Sequence, residues 1–436
     1  MTTTKVSVEL NNQNQLNSTL MKKRNKLIRR NIQMYLGLML AILASGCSSL
    51  KRVAFEKPID TKNKEISLQT KKNHYFEGLD VWVGNQFDGA RLNGASQLND
   101  STIVLQFDPE NLPINKSPYY AFNTWSNTPK QVYFKFGYPE GFEHRYKPKK
   151  KTNGHWDVLD SLDMIKTDNG VLLKLNVGKA PEIVAGQEIN SSKDVQQWYM
   201  ENIVKSNDFV HLKSAGETKL GRNLPVLDIY HGNPQNKPII VLLTRQHPPE
   251  VTGYFAFQSF LKTIVDQTEL SKAFLNKYRV LAFPILNPDG VDLGHWRHNA
   301  NGVDLNRDWS KYRQPEIKSV VSFVTNASRE NDGKIILGLD FHSTYEDVFY
   351  TNVKREGTTL PNFIDEWFQL LEKNISGYKV NEKAANSTTP VSKGWFLYGQ
   401  QATGITYEIG DHTPKDRILE IGTHSATAMM EVLLKE

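Results

Sequence analysis

"KPIIVLLTRQHPPEVTG", residues 237–253, passes from an apolar run into a histidine, two prolines and a glutamate. The short apolar run reads as a buried strand. A residue that precedes proline avoids the helical region, so His247 is expected in extended backbone at the end of that strand. Pro249 suits the first turn of a helix expected over Val251–Val265, which places Glu250 near the helix start. A strand-end imidazole and a first-turn carboxylate then converge on one point, and the prolines stiffen the backbone between them. By itself a His and a Glu three positions apart is a weak signal, because most such pairs are solvated.

Working outward from this stretch, strands alternate with helices. "YRVLAFPI", "KIILGLDF" and "GITYEI" are further buried-strand candidates, and helical patterns run over Glu316–Ala327, Leu360–Asn374 and His424–Leu434. Pro315 opens one of these helices in its first turn, where its missing N–H costs nothing. The alternation predicts an α/β fold: an open mixed, mostly parallel sheet with helices on both faces. In such sheets functional groups gather at the carboxyl ends of the strands. Here those ends carry His247, Glu250, His342 in "GLDFHSTY" and Glu408 in "GITYEIG". "LNPDGVDLGHWRHNANGVDLNRDW", residues 286–309, adds Arg297, Asp304, Asn306 and Arg307.

The N-terminal half has a different texture. Between residues 74 and 188, runs such as "STIVLQFD", "KQVYFKFGYP" and "VLLKLNVG" are β-branched or aromatic and separated by turn signals, which predicts an antiparallel β-sandwich ahead of the α/β domain at 189–436. Residues 47–73 are polar and lysine-rich without periodicity and read as a tether. Before them, six of the ten residues from Met21 to Arg30 are basic, an apolar stretch spans Met34–Ala44, and small residues lead into Cys47. That order reads as a secretory signal over residues 1–46, with Met21 as an alternative start. "LASGC" followed by two serines resembles the lipobox of bacterial lipoproteins, which implies lipidation of Cys47 and a membrane partner. Serine after the cysteine points to the outer membrane.

The net charge of +6 belongs entirely to this leader, which holds seven Lys/Arg and one acidic residue. What remains is balanced, and a nucleic-acid partner is not expected. Cys47 is the only cysteine, so the chain has no disulfide framework and no thiol nucleophile.

The HxxE pair, "NPDG", an arginine before "GVDLNR", a histidine closing a strand and a glutamate in "TYEIG" together resemble the carboxypeptidase A-like zinc metallopeptidases, the funnelin or M14-type family, over about residues 192–436. "GRNLPVLDIYHG" and the aromatic, β-rich N-terminal half look more like the cytosolic carboxypeptidase branch, whose members carry a sandwich before the catalytic domain. The resemblance implies one zinc ion held by His247, Glu250 and His342, leaving a position for water. It implies Glu408 as general base and then acid, and Arg297 as the group that polarises the scissile carbonyl. Asn306 and Arg307 would bind the terminal carboxylate, and Asp304 would hold the outer N–H of His247. Trp395 lies 13 positions before Glu408, which by the family pattern makes Lys393 the residue facing the terminal side chain and implies acidic specificity. One departure stands out: Asn386 occupies the place of a substrate-closing tyrosine, with Tyr378 and Tyr398 as alternatives. "NEKAANSTTPVSKG" reads as a polar loop beside the site.

The expected activity is zinc-dependent removal of C-terminal residues from peptides or proteins in the bacterial cell envelope. A cell-wall amidase acting on peptidoglycan stem peptides and a binding lipoprotein with an inactive site remain as alternatives.

Overall fold

The computed structural model describes residues 50–167 and 170–436. The expected leader, the alternative start at Met21 and the lipidation site Cys47 lie outside the described residues. Among the described residues no helix is long and apolar enough to cross a membrane.

Two sheets face each other in the N-terminal half. One orders the strands Asn73–Phe76, Val81–Gly84, Ala121–Ser126, Glu182–Ala185, Lys149–Thr152 and His155–Val158. The other orders Gly94–Gln97, Thr102–Gln106, Lys130–Gly137, Gly170–Val177 and Met164–Thr167. Alternate residues point inward, as the period of a strand requires: Val132, Phe134 and Phe136 from one strand and Leu173, Leu175 and Val177 from its neighbour enter one core. Phe122 meets Phe134 across the sheets at 5.5 Å between ring centres. All these pairings are antiparallel except Thr102–Gln106 against Lys130–Gly137, which is parallel and departs from the all-antiparallel expectation.

The C-terminal half is built on a sheet of eight strands, in the order Val210–Glu217, Asn223–Ile229, Arg279–Phe283, Ile239–Thr244, Ile335–Thr344, Thr403–Gly410, Val348–Thr351 and Glu382–Ala384. The four from Arg279–Phe283 to Thr403–Gly410 are mutually parallel, and they are the apolar runs visible in the sequence, covered on both faces. Helices Val251–Ile264, Phe363–Asn374 and Lys415–Lys435 cover one face and share a core with Leu337, Leu339 and Phe341. Helix Ser392–Gln400 covers the other, with Phe396 against Gly338. Strand alternation therefore puts Asp340, His342 and, on the next strand, Glu408 on the Ser392–Gln400 side.

Gly253 lets helix Val251–Ile264 approach the central strand at van der Waals range: a Cβ there would fall 2.1 Å from the His342 carbonyl oxygen. This contact sets the distance between Glu250, which caps the helix, and His342. Pro249 lies one residue before that cap rather than within the first turn. The last helix begins at Lys415, nine residues earlier than expected. Gly422 interrupts its pattern and is required by close packing on Ala256, whose carbonyl oxygen would lie 2.6 Å from an added Cβ.

The segment read as a tether is not free from Arg52 onward. It belongs to the same compact unit, Arg52–Glu436, and is fastened along its length without forming a helix. Val53 packs against Gly399, and its carbonyl accepts from Ser310 Oγ at 2.7 Å. Thr61 Oγ1 bonds the Asp308 carboxylate, Gln314 Nε2 donates to the Thr61 carbonyl at 2.7 Å, and Lys64 N donates to the Asn301 carbonyl at 2.8 Å. Gln69 Nε2 reaches the carbonyls of Ala90 and Leu293 at 2.6 and 3.0 Å. Its polar character was legible, but these partners lie from 21 positions away, for Gln69 and Ala90, to several hundred, for Val53 and Gly399.

Candidate active site

His247, Glu250 and His342 come together although 92 positions separate the last two. One ligand atom from each lies within 4.8 Å of the others. The Glu250 carboxylate bridges the imidazoles, with Oε1 2.8 Å from His247 Nδ1 and Oε2 2.6 Å from His342 Nδ1. The outer nitrogens are held as well: His247 Nε2 is 3.0 Å from Asp304 Oδ1 and His342 Nε2 is 2.9 Å from Asp340 Oδ2. These outer carboxylates fix both rings with Nδ1 inward. Against burial, which would raise it, the two imidazoles hold Glu250 well below the usual carboxylate range. Against burial, which would lower it, the carboxylates of Asp340 and Glu250 hold His342 well above the ordinary histidine value.

Glu408 stands opposite His342 in the register of two parallel strands. Its Oε2 is buried and has no hydrogen-bond partner. Burial pushes this carboxyl up to about 8, with His342 opposing and Glu250 adding to the rise. Arg297 Nε donates to Asp304 Oδ2 at 2.7 Å, so Asp304 braces the arginine and His247 together. Arg307 lies at the edge, about a third exposed, and its Nη1 donates to the Asn306 carbonyl at 2.8 Å. Asn306 is buried, accepts from Ser392 N at 2.9 Å, and places Nδ2 3.3 Å from His342 Nε2.

One cavity of about 330 Å³ is lined by the three clustered residues together with Arg297, Asn306, Arg307, Lys393 and Glu408. Asp304 is outside that lining and acts behind it. Lys393, expected in a loop, is instead buried in the first turn of helix Ser392–Gln400. Its Nζ donates to the carbonyls of Thr351 and Ala385 at 2.8 and 2.6 Å, and burial lowers it to about 8. Neither tyrosine considered for closure lines the cavity. Tyr378 belongs to the hydrophobic core, and Tyr398 is turned towards Phe55. Asn386 does line it, as does Tyr350, a residue that sequence reasoning passed over.

Asp340 was also missed, although two residues before a strand histidine is the position that shares its face. The sandwich contributes Asn115 and Arg145 to the same cavity. Arg145 forms a two-nitrogen pair with Asp411, Nε and Nη2 each 2.8 Å from Oδ2. No local pattern marks either residue.

A carboxylate between two imidazoles, with a proton-accepting group and a cation beside it, is equipped to hold a divalent ion and to move a proton at its side. The chain belongs to the zinc carboxypeptidase family, whose sequence pattern matches residues 196–416. It is similar to cytosolic carboxypeptidase 6 of Mus musculus, 27% identical over 157 residues that make up 34% of this chain and 29% of that protein. It is similar also to cytosolic carboxypeptidase 2 of Xenopus tropicalis, 31% identical over 144 residues, 32% of this chain and 15% of that one. The chain thus spans less than a third of the length of these relatives.

Among solved structures, the metallo-carboxypeptidase from Burkholderia cenocepacia matches with a TM-score of 0.69 at 13% identity, covering 81% of this chain and 98% of that one. The metallo-carboxypeptidase from Pseudomonas aeruginosa, in complex with (2-guanidinoethylmercapto)succinic acid, matches with 0.66 at 16% identity, covering 80% and 98%. Coverage of four-fifths takes in the sandwich, so the shared fold extends over both halves. The donor set fits the family's metal: two imidazole nitrogens and one carboxylate oxygen are the ligand types of a catalytic zinc site. The unpartnered Glu408 Oε2 stands beside them.

Proposed function

We propose that this protein is a zinc-dependent metallocarboxypeptidase that hydrolyses the C-terminal peptide bond of peptides or proteins and prefers acidic terminal residues. We place it on a lipid anchor at Cys47 in the bacterial envelope, a reading supported by the basic, apolar, small-residue order that precedes this cysteine. The observation that carries the activity is the convergence of His247, Glu250 and His342 with Glu408 and Arg297 on one cavity.

Zinc held by His247, Glu250 and His342 would supply Lewis acidity and a water acidic enough to ionise near neutral pH. Glu408, whose buried Oε2 has no hydrogen-bond partner, is placed to take a proton from the attacking water and return it to the leaving nitrogen. Arg297, braced through Nε by Asp304, turns its remaining N–H groups to the scissile carbonyl, where charge develops. Arg307 and Asn306 meet the terminal carboxylate, the guanidinium with two parallel donors. Lys393 faces the terminal side chain, and with Arg145, Arg297 and Arg307 it makes the lining rich in cations. Opposite charge in a partly dry cavity favours an acidic residue there.

A library of peptides varied at the C-terminus, digested by the wild type and by Glu408→Gln and read by mass spectrometry, tests this reading. Loss of single terminal residues, Glu and Asp first, is expected from the wild type alone. Cleavage of a purified muropeptide with no cleavage of linear peptides would replace the proposal with the amidase alternative.

A further inference from the structure

The sandwich grips the loop that carries Arg297 through a single carboxylate. Glu110 lies beyond the end of strand Thr102–Gln106 and is fully buried. It accepts from three consecutive backbone N–H groups: Trp296 N to Oε2 at 2.7 Å, Arg297 N to Oε1 at 3.0 Å and His298 N to Oε1 at 2.6 Å. Successive N–H groups turned to one anion form a cradle, and bonds to an ionised acceptor are about twice as strong as neutral ones. Burial opposes the charge on Glu110, but His295, His298, Arg91 and the His298 N–H hold this carboxyl below its ordinary value.

The peptide planes on both sides of the Arg297 Cα are therefore fixed from the other half of the molecule. Asn111 adds a second grip, with Oδ1 2.5 Å from His298 Nδ1 and Nδ2 donating to the Gly302 carbonyl at 3.0 Å. From Arg297 the contacts run on through Nε to Asp304 Oδ2 at 2.7 Å and from Asp304 Oδ1 to His247 Nε2 at 3.0 Å. Three links thus join a sandwich carboxylate to a metal-ligating imidazole. For packing alone an apolar side chain would do, without the cost of taking a charge out of water.

We propose that Glu110 is a positioning residue of the peptidase reaction: through it the sandwich sets the backbone from which Arg297 reaches the scissile carbonyl and, by way of Asp304, steadies His247. The proposal rests on the carboxypeptidase reading above. Glu110→Gln is the informative change, because a carboxamide offers one acceptor oxygen and turns an NH₂ towards groups that need an acceptor.

In the full-length protein, Glu110→Gln should lower kcat by about 10²-fold, the cost of a misplacement near 1 Å, with KM moving far less and zinc content unchanged. The double variant Glu110→Gln/Arg297→Ala should be no slower than Arg297→Ala alone, because two residues that act as one do not add. Losses that multiply would overturn the proposal. Hydrogen exchange of the Trp296, Arg297 and His298 amides, read by mass spectrometry, needs no turnover. It should quicken at least about tenfold in Glu110→Gln while strand Ile335–Thr344 stays protected, and unchanged exchange there would also overturn it. A wild type that binds zinc yet cleaves no peptide would sink the carboxypeptidase reading, and the exchange result would still decide whether Glu110 holds the loop. Should Glu110→Gln fail to fold, Glu110→Asp keeps the charge but retracts it by one methylene, and a kcat loss between the two is expected; wild-type kcat in that variant counts against the proposal.

Discussion

Glu110, at the seam between the halves, and Glu408, in the cavity, each keep carboxylate oxygen out of solvent, yet their surroundings differ in kind. Glu110 takes three backbone N–H groups and stays ionised. Glu408 leaves Oε2 without a partner, and burial lifts it to about 8. A buried acid whose lone pairs are satisfied is committed to holding the chain, whereas one left short of partners sits where it exchanges protons near neutral pH. On the roles proposed above, the contrast separates a group that shapes the site from a group that reacts in it.

The largest effect that tests this contrast is expected from Glu408→Gln. Turnover should fall about 10²- to 10⁴-fold, while zinc content and melting temperature hold or rise, because an awkwardly buried acid has been removed. Wild-type turnover in this variant would abolish the distinction between the two glutamates.

Glu316 sharpens the contrast as an intermediate case. It is buried in the first turn of helix Pro315–Glu330, with Oε2 accepting from Asn299 at 3.0 Å and Oε1 unpartnered. Burial raises it to about 7. A carboxyl whose folded value exceeds its unfolded one contributes stability that is complete below about pH 4.5 and is lost as pH rises through about 7. The total is of order 3 kcal/mol. Glu316→Gln should therefore gain on the wild type between pH 5 and 8.5 in urea melts, and a difference that stays constant would refute the assignment.

Lys393 should give the smallest effect. Its ammonium already serves two carbonyls, so a bound carboxylate gains less than the roughly 4 kcal/mol of an ion pair at 4 Å and intermediate screening. Lys393→Ala should reduce the preference for terminal Glu over Leu, as a ratio of kcat/KM, by about tenfold. In the wild type that preference should fade above about pH 8, where the lowered lysine loses its charge. An unchanged ratio in the variant would remove Lys393 from specificity.

The central strands were legible because parallel strands covered on both faces are written as unbroken apolar runs, as in Ile239–Thr244 and Ile335–Thr344. His247 and Glu250 were legible because the prolines between them constrain the backbone locally. The edge strands Val210–Glu217 and Glu382–Ala384 were not, since their polar positions blur the pattern. Helix Ser392–Gln400 escaped notice because two glycines dilute it. Glu110, Asn115 and Arg145 carry no signal in sequence: Glu110 meets Trp296 186 positions on and Arg145 meets Asp411 266 positions on, and only the fold of the sandwich against the sheet brings all three in. Asp340 was readable and overlooked.

The clasped segment from Val53 to Gln69 has a practical consequence for anyone cutting this chain down. The first sandwich strand begins at Asn73, and a fragment trimmed to that boundary would look complete in sequence. It would leave Asp308 without Thr61, Gln314 without the Thr61 carbonyl and helix Ser392–Gln400 without the Val53 and Phe55 side chains that cover Gly399 and Gly394. The wall behind Arg307 would open from the back, so an excision that preserves the working protein starts no later than about residue 52.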